Sequence, residues 1–279
     1  MKPTASIAPI IAQEIIDDIL DHLASNSDLQ SLRSCSLVCK SWVGRCQRHL
    51  FHTIHFTPKD VNKWLETFPA PEKSPARHVR ALRVALGGCN HVPHAFSECI
   101  PWFSNAERIT LSGNGGFYRV WVPSSARLPQ SVTSLTVDTD GATLVQIRDV
   151  VSQLPNLDNL SLWGTLLGAD RRASPGVGAS LRGRFRGQLR LLKGCAYTNV
   201  TDMLLQVPTG LHFTEVEVRC RYESLLSTVR LAEACGKNLV KLAYLVSTYG
   251  KSSLLLSHPH PSPLAPTVRK LLTTIANYT

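Results

Sequence analysis

The chain has 279 residues, 43% of them apolar, and 30 Lys and Arg against 20 Asp and Glu, for a net charge of +10 and a pI near 9.4. This excludes a disordered or fibrous chain, allows a sizeable core in one or two domains, and permits acidic partners. No apolar run approaches the roughly 18 residues of a membrane span. Acids follow the first apolar residues so closely that no secretory signal is read. The eight cysteines are therefore expected as thiols in a reducing compartment, cytoplasmic or nuclear.

QEIIDDILDHL, from Gln13, sets Ile15, Ile16, Ile19, Leu20 and Leu23 at helical spacing, with Asp17, Asp18 and Asp21 on the opposite, solvated side. SNSD reads as a turn in which Asp28 caps the next helix. Leu29, Leu32, Leu37 and Val38 continue the apolar pattern, and Trp42, Val43, Cys46 and Leu50 carry it onward. Three short helices in so little chain bear more apolar surface than they can bury among themselves, which predicts a partner. Cys35, Cys39, Cys46 and His49 would share one face of a single long helix. Zinc ligands, however, come as close pairs across a tight turn, and a break near Ser36 would scatter these four. Packing is the expected role, since free cysteine behaves as a small hydrophobe.

QEIIDDILDHL, then DLQSLRSCSLVCKSW, then RCQRHLF resembles the F-box motif: an acidic and aliphatic first helix, a D-L-x-x-L turn into S-L-V-x-K-x-W, and a basic run ending in an aromatic. Ile11-Ala12 stands where the family has Leu-Pro. The resemblance implies an F-box over residues 9–56 that docks a Skp-family adaptor and, through it, a cullin-based ubiquitin ligase. By position the implied contacts are Ile11, Ala12, Ile15, Ile16, Ile19 and Leu20 on the first helix. Leu29, Leu32, Leu37, Val38, Lys40 and Trp42 follow. Aliphatic knobs with one aromatic anchor suit an interface, and the core of a helical cap on the next domain is the alternative.

Residues 57–75 read as a short helix and a Pro-rich connector. From 76 to 256 one apolar-x-apolar pattern recurs in VRALRVAL, AERITLSG, VTSLTVD, LDNLSLWG, GQLRLLKG, TEVEVRC and LVKLAYL. Its second apolar residue falls at Val84, Leu111, Val137, Leu162, Leu191, Val218 and Tyr244, with separations of 27, 26, 25, 29, 27 and 26. A short strand returning at that period, with helical spacing in ATLVQIRDVVSQLP, VTDMLLQVP and YESLLSTVRLAEACG between, resembles a leucine-rich repeat. The fold class expected is α/β: a three-helix F-box followed by an irregular leucine-rich-repeat-like solenoid with parallel strands. A non-repeating mixed sheet is the alternative. The family's post-strand asparagine is present only as Asn114, with Gly87, Asp140, Thr165, Gly194, Arg221 and Ser247 at the other positions.

Side chains between the inward strand residues should line an open face: Arg83, Thr110, Thr136, Ser161, Arg190 and Glu217, with Trp163 and Arg219 in the next row. Trp163 beside Arg190 would make an anchor for a protein substrate. Segment 164–190 carries six arginines against Asp170 alone. Its stretch 168–190, with the core RGRFRG, is expected to emerge as a loop that is solvated or attracts an acidic partner. Nucleic acid is not expected, because Phe185 is its one aromatic. SHPHPSPLAPT opens a Pro-rich linker and short helix over 257–279. The pairs His91/His94 and His258/His260 lack further ligands, so no metal and no cofactor are expected.

Phosphate-loop, dinucleotide and zinc-protease patterns are missing from the sequence. The nearest hydrolase elbow, Gly178-Ala179-Ser180-Leu181-Arg182, lacks its second glycine. Asp17-Asp18 and the Glu215/Glu217 pair read as surface carboxylates. The function expected is therefore non-catalytic: a substrate-recognition subunit of an SCF-type ligase. The alternative is a ligase-independent repeat scaffold that binds protein or RNA.

Overall fold

The structure, a computed structural model, describes residues 12–85, 98–113, 127–139, 142–164, 181, 183–192, 197–220 and 225–246. Three short helices come first: α1 (Gln13–Ser25), α2 (Leu29–Cys35) and α3 (Lys40–Leu50). Asp28 caps α2 as its type and position predict, its carboxylate accepting from the Ser31 N–H at 3.0 Å. α2 ends at Cys35, next to the break expected at Ser36. Leu20, Leu32 and Cys46 form the small core of this unit, with Ile16, Leu23, Cys35, Trp42 and Leu50 packed around it.

The rest of the described chain is a mixed α/β arrangement built on one open, all-parallel sheet of eight strands in sequential order. The strands are β1 (Thr53–Phe56), β2 (Ala81–Ala85), β3 (Arg108–Gly113), β4 (Ser134–Thr139), β5 (Asn159–Trp163), β6 (Gln188–Leu192), β7 (Glu215–Cys220) and β8 (Lys241–Val246). Every residue chosen from the period lies in one register row: Val84, Leu111, Val137, Leu162, Leu191, Val218 and Tyr244 pair in turn.

Strand β1 corrects the expected boundary at residue 56. TIHF belongs to the sheet, with Phe56 opposite Val84 and buried. Its I-x-F alternation repeats the pattern of the later strands at the same spacing, but it follows a helix without a break and so reads as that helix's tail.

On one face of the sheet Leu82, Val84, Ile109, Leu111, Leu135, Val137, Leu160, Leu162, Leu189, Leu191, Val216 and Val218 are all buried in a single core. Helices close that core. α4 (Pro58–Thr67) starts with Asp60 accepting from both the N–H and the hydroxyl of Thr57. α5 (Leu144–Ser152) has a reciprocal capping box between Thr143 and Gln146 and buries Ile147, Val150 and Val151. α6 (Tyr197–Leu205) and α7 (Leu225–Cys235) bury Leu204 and Leu231. Gly236, the predicted stop after α7, has φ +55°, which a Cβ would strain.

The Arg-rich segment departs from the expected loop. Its described end is packed: Leu181 and Phe185 are buried, the Phe185 ring lies 5.4 Å from that of Phe213, and Arg184 and Arg186 are exposed. The Phe185 N–H donates to the Leu157 carbonyl at 2.8 Å, and its own carbonyl accepts from His212 N at 3.2 Å. Gly187 runs close against Asn159, whose Oδ1 accepts from Gln188 N at 2.8 Å. One buried aromatic, invisible to charge counting, draws the chain down onto the sheet.

Gly87, Asn114, Asp140, Thr165, Gly194, Arg221 and Ser247 lie outside the described residues, as do Ile11, the two histidine pairs, Ser180 and residues 257–279. No described helix is long and apolar enough to cross a membrane.

Phe185→Ala is expected to cost about 3–5 kcal/mol, because its packing sites cannot collapse fully around the void. Urea denaturation with an unchanged slope checks this, and a loss below about 1 kcal/mol would show that the segment is not part of the core.

Candidate functional site

Two surfaces are left over once the cores are formed. The first lies on the three-helix unit. Of the eight large apolar side chains that stand exposed among the described residues, five belong to it: Ile15, Ile19, Leu29, Leu37 and Val38. Ile15 and Ile19 lie one turn apart on α1, so they share a stripe facing away from Leu20. Leu37 and Val38 occupy the turn between α2 and α3 and are 87% and 65% exposed, two adjacent aliphatic side chains left in water.

The sequence-derived contact residues separate accordingly. Ala12 and Lys40 are exposed beside this apolar set, and Ile16 and Trp42 are half-buried, spanning core and surface. Leu20 and Leu32, at 1% and 0% exposure, lie inside and hold the helices together rather than facing outward. Helical spacing marks an apolar stripe but does not divide it between inner and outer edges.

Nor is the acidic side of α1 merely solvated. Arg45 of α3 reaches back, with Nη1 2.8 Å from Asp17 Oδ2 and Nε 2.8 Å from Asp21 Oδ1, while His49 Nε2 lies 2.7 Å from the same Asp21 oxygen. The Arg45 and His49 contacts hold the Asp21 carboxyl down at about 2, against an ordinary 3.8. This cluster clamps α1 to α3 while their apolar outer residues stay in water.

The cysteines divide by burial. Cys46 fills the small core, and burial pushes its thiol up, as it does Cys99, to about 12, and Cys235, to about 11. Such thiols are inert packing groups. Cys39 is exposed at the start of α3, with Sγ 2.8 Å from Ser41 Oγ, a contact that lowers its pKa. Among the described residues no group of three or more His, Cys, Asp or Glu side chains is placed to hold a metal.

The second surface is the outward face of the sheet. His55, Arg83, Thr110, Thr136, Ser161, Arg190, Glu217 and Ala243 form one register row across all eight strands. The row beyond it contains Ser112, Asp138, Trp163, Leu192 and Arg219. The expected substrate-face residues thus share one face. Trp163 stands opposite Leu192 and Arg190 opposite Ser161 and Glu217, so Trp163 and Arg190 are diagonal neighbours on adjacent strands.

Glu217 is the hub of the far end, with Oε1 accepting from Arg219 Nε at 3.1 Å. Arg190 Nε sits 3.2 Å from its other oxygen, close enough for charge attraction but off the line of a hydrogen bond. Trp163 keeps 38% of its surface exposed.

With both surfaces described, comparison with family models, curated proteins and solved structures found no match to this chain.

The Asp21 clamp has a pH signature. Its pKa is lower in the folded chain, so its stabilisation is complete above about pH 4 and is lost as pH falls through about 2. Asp21→Asn should therefore lower the melting temperature at pH 7, with the gap from the native chain closing on acidification. An equal gap at pH 2.5 and pH 7 would rule out the clamp as its cause.

Proposed function

We propose that this chain is a substrate-recognition subunit of an SCF-type ubiquitin ligase. Its first fifty residues, as an F-box, dock a Skp-family adaptor, and its sheet, as a leucine-rich-repeat-like solenoid, holds a protein substrate. The observation that carries the reading is the concentration of exposed aliphatic side chains on the three-helix unit, Ile15, Ile19, Leu29, Leu37 and Val38, at positions the F-box resemblance implies for adaptor contact. Burying one Leu, Ile or Val in full is worth about 1.5–3 kcal/mol. Five partly exposed ones offer on the order of 5–10 kcal/mol before the cost of association, enough for a specific complex.

No catalytic group is required of this chain. Its contribution is proximity: holding a substrate lysine near a ubiquitin-loaded enzyme raises the effective concentration of the reacting amine. Arg83, Thr110, Thr136, Ser161, Trp163, Arg190, Glu217 and Arg219 would present the substrate surface, and the adaptor and cullin set the compartment as cytoplasm or nucleus.

The test uses the full chain. Thr53–Phe56 are a strand of the sheet, so deletion of residues 1–56 would also strip a strand from one end of it. Co-expressed with a Skp-family adaptor, the native chain should co-purify with it. Leu37→Asp and Val38→Asp should each weaken the complex by at least about tenfold, which is 1.4 kcal/mol, while Leu226→Asp, on an exposed residue far along the chain, should not. A folded native chain that leaves the adaptor behind sinks the proposal.

A further inference from the structure

The outward face of the sheet is not electrically uniform. At the β6–β8 end the charges are largely paired: Glu217 lies against Arg190 and Arg219, and Glu215 against Lys241 and the Gln188 amide. At the β1–β3 end the outward residues include His55, Arg83 and Arg108, all exposed, and no carboxylate. The nearest acids are Glu107, held by Arg80 at 2.8 Å, and Asp138, which stands opposite Ser112 on β4, one row beyond Arg83 and two beyond Arg108. Ala81 and Ala85 flank Arg83 on its own strand, leaving low ground beside the guanidinium, and Thr110 and Ser112 add hydroxyl groups on the next.

We propose that the outward face of β1–β3 is a receptor for an extended acidic segment of a partner protein, whose carboxylates seat on Arg83 and Arg108. Arg83 pairs with Thr110, and Arg108 stands two residues before Thr110 on the same strand, so the two arginines are diagonal neighbours. A strand spacing of about 4.8 Å and a two-residue rise of about 6.6 Å set such neighbours about 8 Å apart at the backbone. Carboxylates two residues apart on an extended chain repeat at nearly the same distance, about 6.8 Å. An acid-x-acid segment therefore meets both forks together, and the planar guanidinium accepts each carboxylate bidentately.

A nucleic acid fits less well. The outward residues of β1–β4 offer no Phe, Tyr or Trp on which bases could stack.

This proposal deepens the substrate-recognition reading by naming the chemistry of the captured segment. Its test needs no adaptor, so its failure and a failure of adaptor docking are separate results. A fluorescein-labelled peptide of alternating Glu and Ser, about a dozen residues long, is titrated with the full chain at low salt and read by anisotropy. A Gln-Ser peptide and an oligouridylate of similar length serve as comparisons. The Glu-Ser peptide should bind, the Gln-Ser peptide should not, and Arg83→Gln/Arg108→Gln should weaken binding by at least about tenfold. Arg184→Gln/Arg186→Gln, which removes the same charge from another exposed segment, should leave it unchanged. Thr110→Glu, which sets a carboxylate opposite Arg83 and two residues from Arg108 without removing either, should lower it as the double variant does. Native-like binding by the Arg83/Arg108 variant, or no binding by the native chain, overturns the proposal. So does tighter binding of the oligouridylate through the same two arginines.

Discussion

Everything beyond the first three helices depends on keeping two inward apolar residues per strand in register with those of the next strand. A single short strand of this kind cannot bury its apolar pair or satisfy its backbone, and it becomes stable only between two neighbours that repeat its pattern. The row Phe56, Val84, Leu111, Val137, Leu162, Leu191, Val218, Tyr244 meets that condition at the six inner strands, through seven pairings. A slip of one residue in any strand would turn Leu160 and Leu162, or their equivalents, into water and bring Ser161 or Arg190 into the core. Such a slip costs several kcal/mol at each strand, so the register has no close competitor.

The same constraint frees the opposite face. Because packing is handled mainly by the inward residues, most outward positions, buried Leu192 excepted, carry little structural duty beyond remaining compatible with a strand, and their chemistry can vary from one strand to the next. They do vary. Hydroxyls occupy the middle strands, Arg190 and Arg219 share Glu217 at one end, and Arg83 and Arg108 stand at the other with no carboxylate among the outward residues of β1–β3. A surface ion pair contributes little to stability, so the clustering around Glu217 matters chiefly for the field it cancels. The larger positive field is left at the β1–β3 end, next to the three-helix unit.

That unit follows a different economy of contacts. Its fully buried core amounts to Leu20, Leu32 and Cys46, little to hold three helices, and the Asp17–Asp21–Arg45–His49 cluster supplements it from the polar side. A polar clamp lets α1 and α3 keep their relation while Ile15, Ile19, Leu37 and Val38 remain in solvent. A larger apolar core would have drawn these side chains inward and removed the surface on which the proposed docking depends.

Periodicity alone was enough to read seven of the eight strands, their order and their mutual register. Strand register in a parallel repeat is a property of spacing, and spacing is linear information. The helix caps at Asp28 and Thr143 and the stop at Gly236 were likewise local, set within a few residues by side-chain chemistry or by backbone conformation. Long-range packing decided the rest. The TIHF strand became visible only through its pairing with β2, and residues 183–187 were drawn onto the sheet by contact between Phe185 and Phe213, residues 28 apart. Leu20 was separated from Ile19 as core from surface by where α3 lies. A hydrophobic stripe records that a side chain avoids water, but which neighbour covers it, and whether any does, is settled only when distant segments meet.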